Sequence, residues 1–156
     1  MNRIRILLAA LAGITFGLAT PALAGEVQLA SEVKVDRVVR EDGRERHVLV
    51  PATRVFPGDR LVFSTRYRNG GARPAEHFVV TNPLPAAVRL ADDGFGTFEA
   101  SVDGGRNWGA LAALVVPDGK GGSRPAQAAD VTQVRWVIAA IPPGGDGVVE
   151  YHAVVR

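Results

Sequence analysis

The sequence contains no cysteine, and this absence rules out several chemistries. Disulfide bonds, thiol nucleophiles and zinc sites built from thiolates are all excluded. Packing alone must therefore stabilise the fold. Histidine is also scarce, since only His47, His77 and His152 occur and no H-x-H or H-E-x-x-H spacing joins them. We expect all three to be exposed to solvent, and we expect no metal site and no cofactor.

An excess of charge of one sign is lacking as well. The formal net charge is +2, and Arg3 and Arg5 of the N-terminal segment account for it, because 18 basic residues less these two leave 16 against 16 acidic residues. Strong electrostatic attraction to nucleic acid is therefore not expected.

Long apolar runs are absent except at the N-terminus, where one extends from Ile6 to Ala19. A short basic segment precedes this run, and the small residues Ala22 and Ala24 follow it, which is the layout of a secretory signal peptide. A membrane-spanning helix needs about 20 apolar residues, and this run is shorter. We expect residues 1–24 to be removed, which leaves one domain of residues 25–156 in the periplasm or outside the cell, without membrane insertion.

Turn-forming residues are abundant, with 18 Gly and 10 Pro in the chain, and the segments between them alternate between apolar and polar residues. The clearest is Arg60 to Arg68, where Leu61, Phe63, Thr65 and Tyr67 share one side. Such alternation predicts a β-strand with one buried face.

Comparable patterns predict about eight or nine short strands, and little of the chain is typical of a helix. They lie at 33–39, 48–50, 60–68, 78–80, 88–90, 97–102, 111–116, 134–138 and 149–155. A single sheet of that size would leave an apolar face in water, so the expected fold is an all-β, antiparallel β-sandwich, with a closed barrel as the alternative. The expected core is built around five aromatic residues: Phe63, Tyr67, Phe78, Trp136 and Tyr151.

One long polar stretch, Pro117 to Asp130, has almost no large apolar side chains. It cannot bury enough surface to offset the entropy of ordering it, so we expect a mobile loop that trypsin cuts first at Lys120. The apolar runs on either side, Leu111 to Val116 and Val131 to Ile138, predict two strands that pair with each other.

Several segments occur in an order that is found in a known family. Val55 to Phe63 contains a Pro-Gly-Asp turn before a strand, Val79 to Pro85 ends in Asn-Pro-Leu-Pro, and Trp136 precedes the stretch Ile141 to Val155. This order resembles the bacterial surface-protein repeat domain called Domain of Unknown Function 11, over about Val48 to Arg156. The resemblance implies an immunoglobulin-like β-sandwich in a cell-envelope or secreted protein.

The stretch from Ser101 to Trp108 resembles the Asp-box of sialidases and other β-propellers, with the pattern S-x-D-x-G followed by Trp. That box is a hairpin turn and not a catalytic element, so we expect a turn held by the Asp103 side chain with Trp108 packed over it. The alternative for the acidic turn residues is a calcium site, which needs about six to eight oxygen ligands. These residues are Asp92, Asp93, Asp103, Asp118 and Asp130.

No pattern of catalytic residues is visible, and none of the four serines lies in G-x-S-x-G, so we do not expect an enzyme. The first functional hypothesis is an exported, non-catalytic interaction or structural module of the bacterial cell envelope, whose partner is an envelope protein or a surface polymer. The alternative is a binding protein for an anionic glycan or a divalent metal ion. Four arginines on or just after the outer side of the strand at 60–68 form a possible anion-binding face, although they also fit a solvated face with salt bridges: Arg60, Arg66, Arg68 and Arg73.

Overall fold

The computed structural model describes residues 26–93 and 97–156, so the expected signal peptide of residues 1–24 lies outside the described residues. The strands in chain order are β1 (Val27–Glu41), β2 (Arg44–Pro51), β3 (Arg60–Asn69), β4 (Ala75–Pro83), β5 (Val88–Leu90), β6 (Glu99–Ser101), β7 (Val115–Pro117), β8 (Ser123–Pro125), β9 (Gln133–Ile141) and β10 (Asp146–Val155). Two 3-10 turns, Leu111–Ala113 and Ala128–Asp130, complete the described elements. None of the described helical segments has the length and apolar character to cross a membrane.

Two antiparallel sheets face each other. The first has five strands in the order β2-β1-β3-β10-β5, and the second has three in the order β4-β9-β6. The amide of Asn82 on β4 donates to the Thr65 hydroxyl on β3 at 3.0 Å. The ring of Trp136 on β9 lies 6.3 Å from that of Tyr151 on β10. These contacts place β4 over β3 and β9 over β10, and the predicted antiparallel β-sandwich is confirmed.

The core lies between the two sheets, where the predicted aromatic residues meet. Trp136 and Tyr151 are only 6% and 2% exposed. Phe63, Tyr67 and Phe78 are partly buried and pack against the same cluster. The rings of Phe63 and Tyr151 stack with their centroids 4.7 Å apart. Alternation therefore identified the inward faces of β3, β9 and β10, although Val62, on the outward face of β3, is also only 5% exposed.

The end of the five-stranded sheet is a two-stranded ribbon. β1 pairs with β3 only as far as Asp36, whereas its pairing with β2 continues to the turn at Asp42 and Gly43. Both turn residues have positive φ, at 50° and 76°, as a two-residue hairpin turn that matches strand twist requires.

The structure corrects the expected open loop from Pro117 to Asp130. Strands β7 and β8 pair with each other in register Val116↔Arg124 and form a small hairpin. The predicted pairing of Leu111–Val116 with Val131–Ile138 is wrong, because β9 pairs with β4 and β6 instead.

Polar contacts explain why this segment folds without large apolar side chains. The Asp118 carboxylate accepts hydrogen bonds from the backbone N–H groups of Lys120 and Gly122 at 2.7 and 2.9 Å, which lowers the pKa of Asp118. The Arg124 guanidinium donates to both carboxylate oxygens of Asp130, at 2.7 and 2.8 Å, and holds the pKa of Asp130 below its ordinary value. A bidentate pair of this kind fixes geometry as well as adding energy.

Candidate functional site

A groove of about 690 Å³ lies on the side of the sandwich where β5 and β6 lie. Two segments form much of its wall, Ala110–Ala112 and Ala126–Ala129, and the ring of Phe98 contributes a third part. Arg89 and Asp92 also line it. Most of these wall side chains are methyl groups, and we name the site the alanine groove.

The walls of the alanine groove are held by backbone hydrogen bonds. The N–H of Ala113 donates to the Ala110 carbonyl at 2.8 Å, which closes the first 3-10 turn. The N–H of Ala126 donates to the Leu114 carbonyl at 2.9 Å, which ties the second wall to the first. Phe98 also packs edge-on against Trp136, with ring centroids 5.6 Å apart, so the groove rests on the core.

The polar lining of the alanine groove is small and partly engaged. The Arg89 guanidinium donates to the Asp92 carboxylate and to the Leu90 carbonyl, both at 3.3 Å. These are long hydrogen bonds, and the Asp92 side chain is 80% exposed. Gln127 is the remaining polar side chain among the described lining residues. Their composition, mostly apolar with a few polar groups, is typical of a ligand-binding concavity.

The four arginines of the predicted anion-binding face have different surroundings. Arg66 and Arg68 are exposed on the outer face of β3. Arg73 is also exposed but lies beyond the strand, in the connection to β4. Arg60 is partly buried, and its guanidinium pairs with Asp93 at 2.6 Å. Among the described residues, only Arg66 and Arg68 of the four lie together on one sheet face without an ion pair.

Arg60 is the centre of a charged cluster on that outer face. Its guanidinium also lies 3.6 Å from Asp36 and 2.6 Å from Nδ1 of His152. The Arg60 hydrogen bond is the largest cause that lowers the pKa of Asp93. Two carboxylates therefore engage Arg60, unlike Arg66 and Arg68 of the same predicted face.

The structure separates the three histidines. His77 is exposed, as predicted, and has a positive φ of 49°. The His47 side chain is 66% exposed, and its Nδ1 lies 2.9 Å from the Asp36 carboxylate. His152 is half-buried, so the expectation of exposure is wrong for this residue, because it is held against Arg60 on the face of β10.

The predicted turn at Asp103 is confirmed in detail. The Asp103 carboxylate accepts hydrogen bonds from the backbone N–H groups of Asn107 and Arg106, each at 3.0 Å. Bonds from Asn107 and Ser101 are the main causes that lower the pKa of Asp103 to about 2. The Trp108 indole N–H donates to the Gly105 carbonyl at 2.9 Å. This arrangement is structural, because the carboxylate is saturated by donors of its own turn.

The acidic residues considered for calcium do not converge. Asp103 and Asp118 hold their own turns, whereas Asp93 and Asp130 pair with arginines. Within residues 26–93 and 97–156, no three side chains of His, Asp or Glu come together to hold a metal ion.

No motif in the sequence predicted the alanine groove. Alanines give no distinctive sequence pattern, and the two wall segments are fourteen residues or more apart in the chain. The β7–β8 hairpin between them brings them together in the fold. No family model matches this chain, and neither a curated protein nor a solved structure matches it.

Proposed function

We propose that this chain is an exported, non-catalytic interaction module of the bacterial cell envelope, and that it holds its partner in the alanine groove. The observation that carries the proposal is the groove itself. Its volume of about 690 Å³ lies within the range of about 300–1,000 Å³ that is usual for binding sites. Its walls are predominantly methyl and aromatic carbon.

The N-terminal sequence supports export. A basic start, an apolar run and the small residues Ala22 and Ala24 precede the folded part of the chain, as in a secretory signal peptide. The resemblance to the surface-protein repeat domain supports an envelope location. Its immunoglobulin-like fold is a common scaffold for binding, although fold alone does not assign a function.

The chemistry of the lining supports binding and not catalysis. General acid–base catalysis needs a group that is held near the reacting atom and has a pKa near the working pH. Nucleophilic catalysis needs an activated nucleophile. Arg89 and Asp92 instead bond to each other, and the remaining described lining is alanine, leucine, phenylalanine and glutamine. Burial of an apolar surface, at about 25 cal/mol per Å², is the interaction that such walls offer.

Two neighbouring alanines provide a matched test. Ala112 lines the alanine groove, whereas Ala113 lies in the same 3-10 turn, is exposed and does not line it. Titration with the uncharged dye Nile red should give saturable fluorescence enhancement with the mature domain. Ala112→Glu should weaken dye binding by about tenfold or more, because a carboxylate must then be desolvated or the dye excluded. Ala113→Glu should change it by less than about twofold.

The same pair then tests the biological role. Wild-type and Ala113→Glu baits should recover the same component from envelope extract, and Ala112→Glu should lose it. Equal dye binding by all three proteins, or recovery of the component by Ala112→Glu, would show that the groove is not the interaction site.

The alternative function, binding of an anionic glycan, is favoured by one observation. Arg66 and Arg68 make no ion pair with any residue in the described part of the chain. A sulfated polysaccharide should then raise the melting temperature of the wild type but not of an Arg66→Gln/Arg68→Gln variant. A shift that the double variant retains, or no shift with the wild type, would reject this alternative.

A further inference from the structure

Strand β4 forms one edge of the three-stranded sheet, with β9 on its other side. The N–H of Leu84 donates to the Thr132 carbonyl at 2.9 Å, in the same register as the rest of this pairing. Successive residues of a strand direct their backbone groups to opposite sides. Leu84, Asn82 and Val80 therefore face β9, whereas Pro83, Thr81 and Val79 face away from it.

Pro83 agrees with this assignment independently. It has no backbone N–H, so within a sheet it belongs on the unpaired side of an edge strand. The N–H and C=O groups of Val79 and Thr81 are therefore left along the open edge of β4, where they have no strand partner among the described residues.

The five-stranded sheet extends beyond β4. Because β4 lies over β3, the next strand, β1, has no described strand of the second sheet above it. The part of its inner face at Leu29 and Ser31 is correspondingly uncovered, since Leu29 is 51% exposed and Ser31 is also exposed. Further along the same face, Val35 is only 1% exposed. One strand position of the sandwich is thus open beside β4 and above Leu29 and Ser31.

A small concavity lies where the open position meets the core. Its volume is about 170 Å³, and Ser31 on β1, Phe63 and Thr65 on β3, and Asn82 and Pro83 on β4 contribute to its lining. It therefore spans the gap between the two sheets beside the edge of β4. A side chain that points inward from an added strand would occupy it.

The charge distribution distinguishes this edge from that of β2. The β2 edge begins with Arg44, Glu45 and Arg46, and charged residues are the usual protection of an edge strand against pairing. The segment of β4 from Phe78 to Asn82 carries no charge, and neither do Leu29 and Ser31 opposite it. The open position suits an uncharged strand.

We propose that this position receives an extended segment of another polypeptide, uncharged and with apolar side chains at alternate positions. Its backbone pairs with Val79 and Thr81, its inward side chains cover Leu29, and one of them enters the concavity at Ser31. The partner segment must be a strand, because only a strand places backbone donors and acceptors at the spacing of the open groups of Val79 and Thr81. Alternate side chains of that strand must be apolar, because they face the apolar interior between the sheets. This site is separate from the alanine groove.

The first experiment uses a labelled peptide of alternating valine and threonine and a control peptide with the same residues in blocks. Fluorescence anisotropy with the mature domain should show saturable binding of the alternating peptide only. Leu29→Lys should weaken its binding by about tenfold or more, because the inserted ammonium group would be buried unpaired. Leu49→Lys is the matched control, because Leu49 is 50% exposed and lies on the opposite face of the same sheet. It should change binding by less than about twofold.

A second pair of variants tests the backbone pairing with β4 separately from the apolar contact with Leu29. Thr81→Pro removes the outward N–H and should abolish binding, whereas Thr81→Ser should retain it. Circular dichroism should show the same β-sheet spectrum for all variants, so a loss of peptide binding is not a loss of fold.

Three results would overturn the proposal. They are absence of binding by the alternating peptide, equal binding by the block peptide, and equal effects of Leu29→Lys and Leu49→Lys. Sedimentation analysis identifies the occupant of the open position. If the wild type forms a concentration-dependent dimer and Leu29→Lys does not, the occupant is a second copy of this chain and not a strand of another protein.

Discussion

Replacement of Trp136 by alanine is the most direct test of how the two sheets are packed. The Trp136 side chain is 6% exposed and touches both layers, because it meets Phe98, just before β6 of its own sheet, and Tyr151 in the opposite sheet. Its removal should leave a cavity at the contact between the sheets. Among the described residues, Trp136 and Tyr151 form the one aromatic pair that joins the two sheets.

The expected loss of stability follows from the buried area. A Trp ring buries about 200 Å², and at about 25 cal/mol per Å² this amounts to about 5 kcal/mol. Compactness of the denatured chain reduces such figures by roughly 10–40%. We therefore expect Trp136→Ala to lower the free energy of unfolding by about 3–5 kcal/mol, which is the usual range for removal of a buried aromatic ring.

Trp108 provides the control, since the chain has two tryptophans. Trp108 lies on the outside of the sheet, with its ring 4.6 Å from the Arg135 guanidinium carbon and its N–H bonded to the Gly105 carbonyl. Trp108→Ala should cost only about 1–2 kcal/mol, from one cation–π contact and one hydrogen bond. Urea unfolding at 25 °C, followed by far-ultraviolet circular dichroism, gives both values. A Trp136→Ala loss below about 1 kcal/mol, or one no larger than that of Trp108→Ala, would refute the packing described for this residue.

Substitutions at three further residues test local features. The pKa of Asp103 is lowered to about 2, so ionised Asp103 should stabilise the fold fully above about pH 4 and lose this effect as the pH falls toward 2. The difference in melting temperature between wild type and Asp103→Asn should therefore shrink over that interval. A constant difference would contradict the role of the Asp103 carboxylate in its turn. His77 has a φ of 49°, so His77→Val should be less stable than His77→Gly by about 1–2 kcal/mol in urea unfolding, and the reverse order would exclude backbone strain there. The Asp118 carboxylate accepts hydrogen bonds from two backbone N–H groups of the β7–β8 turn. Asp118→Ala should therefore accelerate tryptic cleavage at Lys120, which mass spectrometry can follow. An unchanged rate of cleavage would show that the carboxylate does not order the turn.

Much of the fold was predictable because alternation reports directly which face of a strand is buried. Arg60 to Arg68 and the strands that carry Trp136 and Tyr151 have this pattern, and all three lie where it predicts. The hairpin of β7 and β8 was not predictable in this way. Its order comes from specific bonds, such as those of Asp118 and the Arg124–Asp130 pair, which the amino-acid composition of the segment does not reveal.

The candidate sites depended on tertiary proximity and were less predictable. The arginine pattern located one face of β3, but only the folded chain brings Arg60 to Asp93 and leaves Arg66 exposed. The alanine groove has no motif, because its walls come from separate segments whose alanines are individually unremarkable in sequence. The open position beside β4 is visible only from the unequal widths of the two sheets.

Nuclear magnetic resonance tests most directly whether the alanine groove is a binding site. Amide resonances of an isotope-labelled protein of residues 25–156 are recorded during titration with Nile red. Saturable chemical-shift changes are expected at Leu111, Ala112 and the segment Ala126–Ala129, which line the groove. Shifts centred on Arg66 and Arg68, or spread over both sheets without a maximum at the groove, would contradict this expectation.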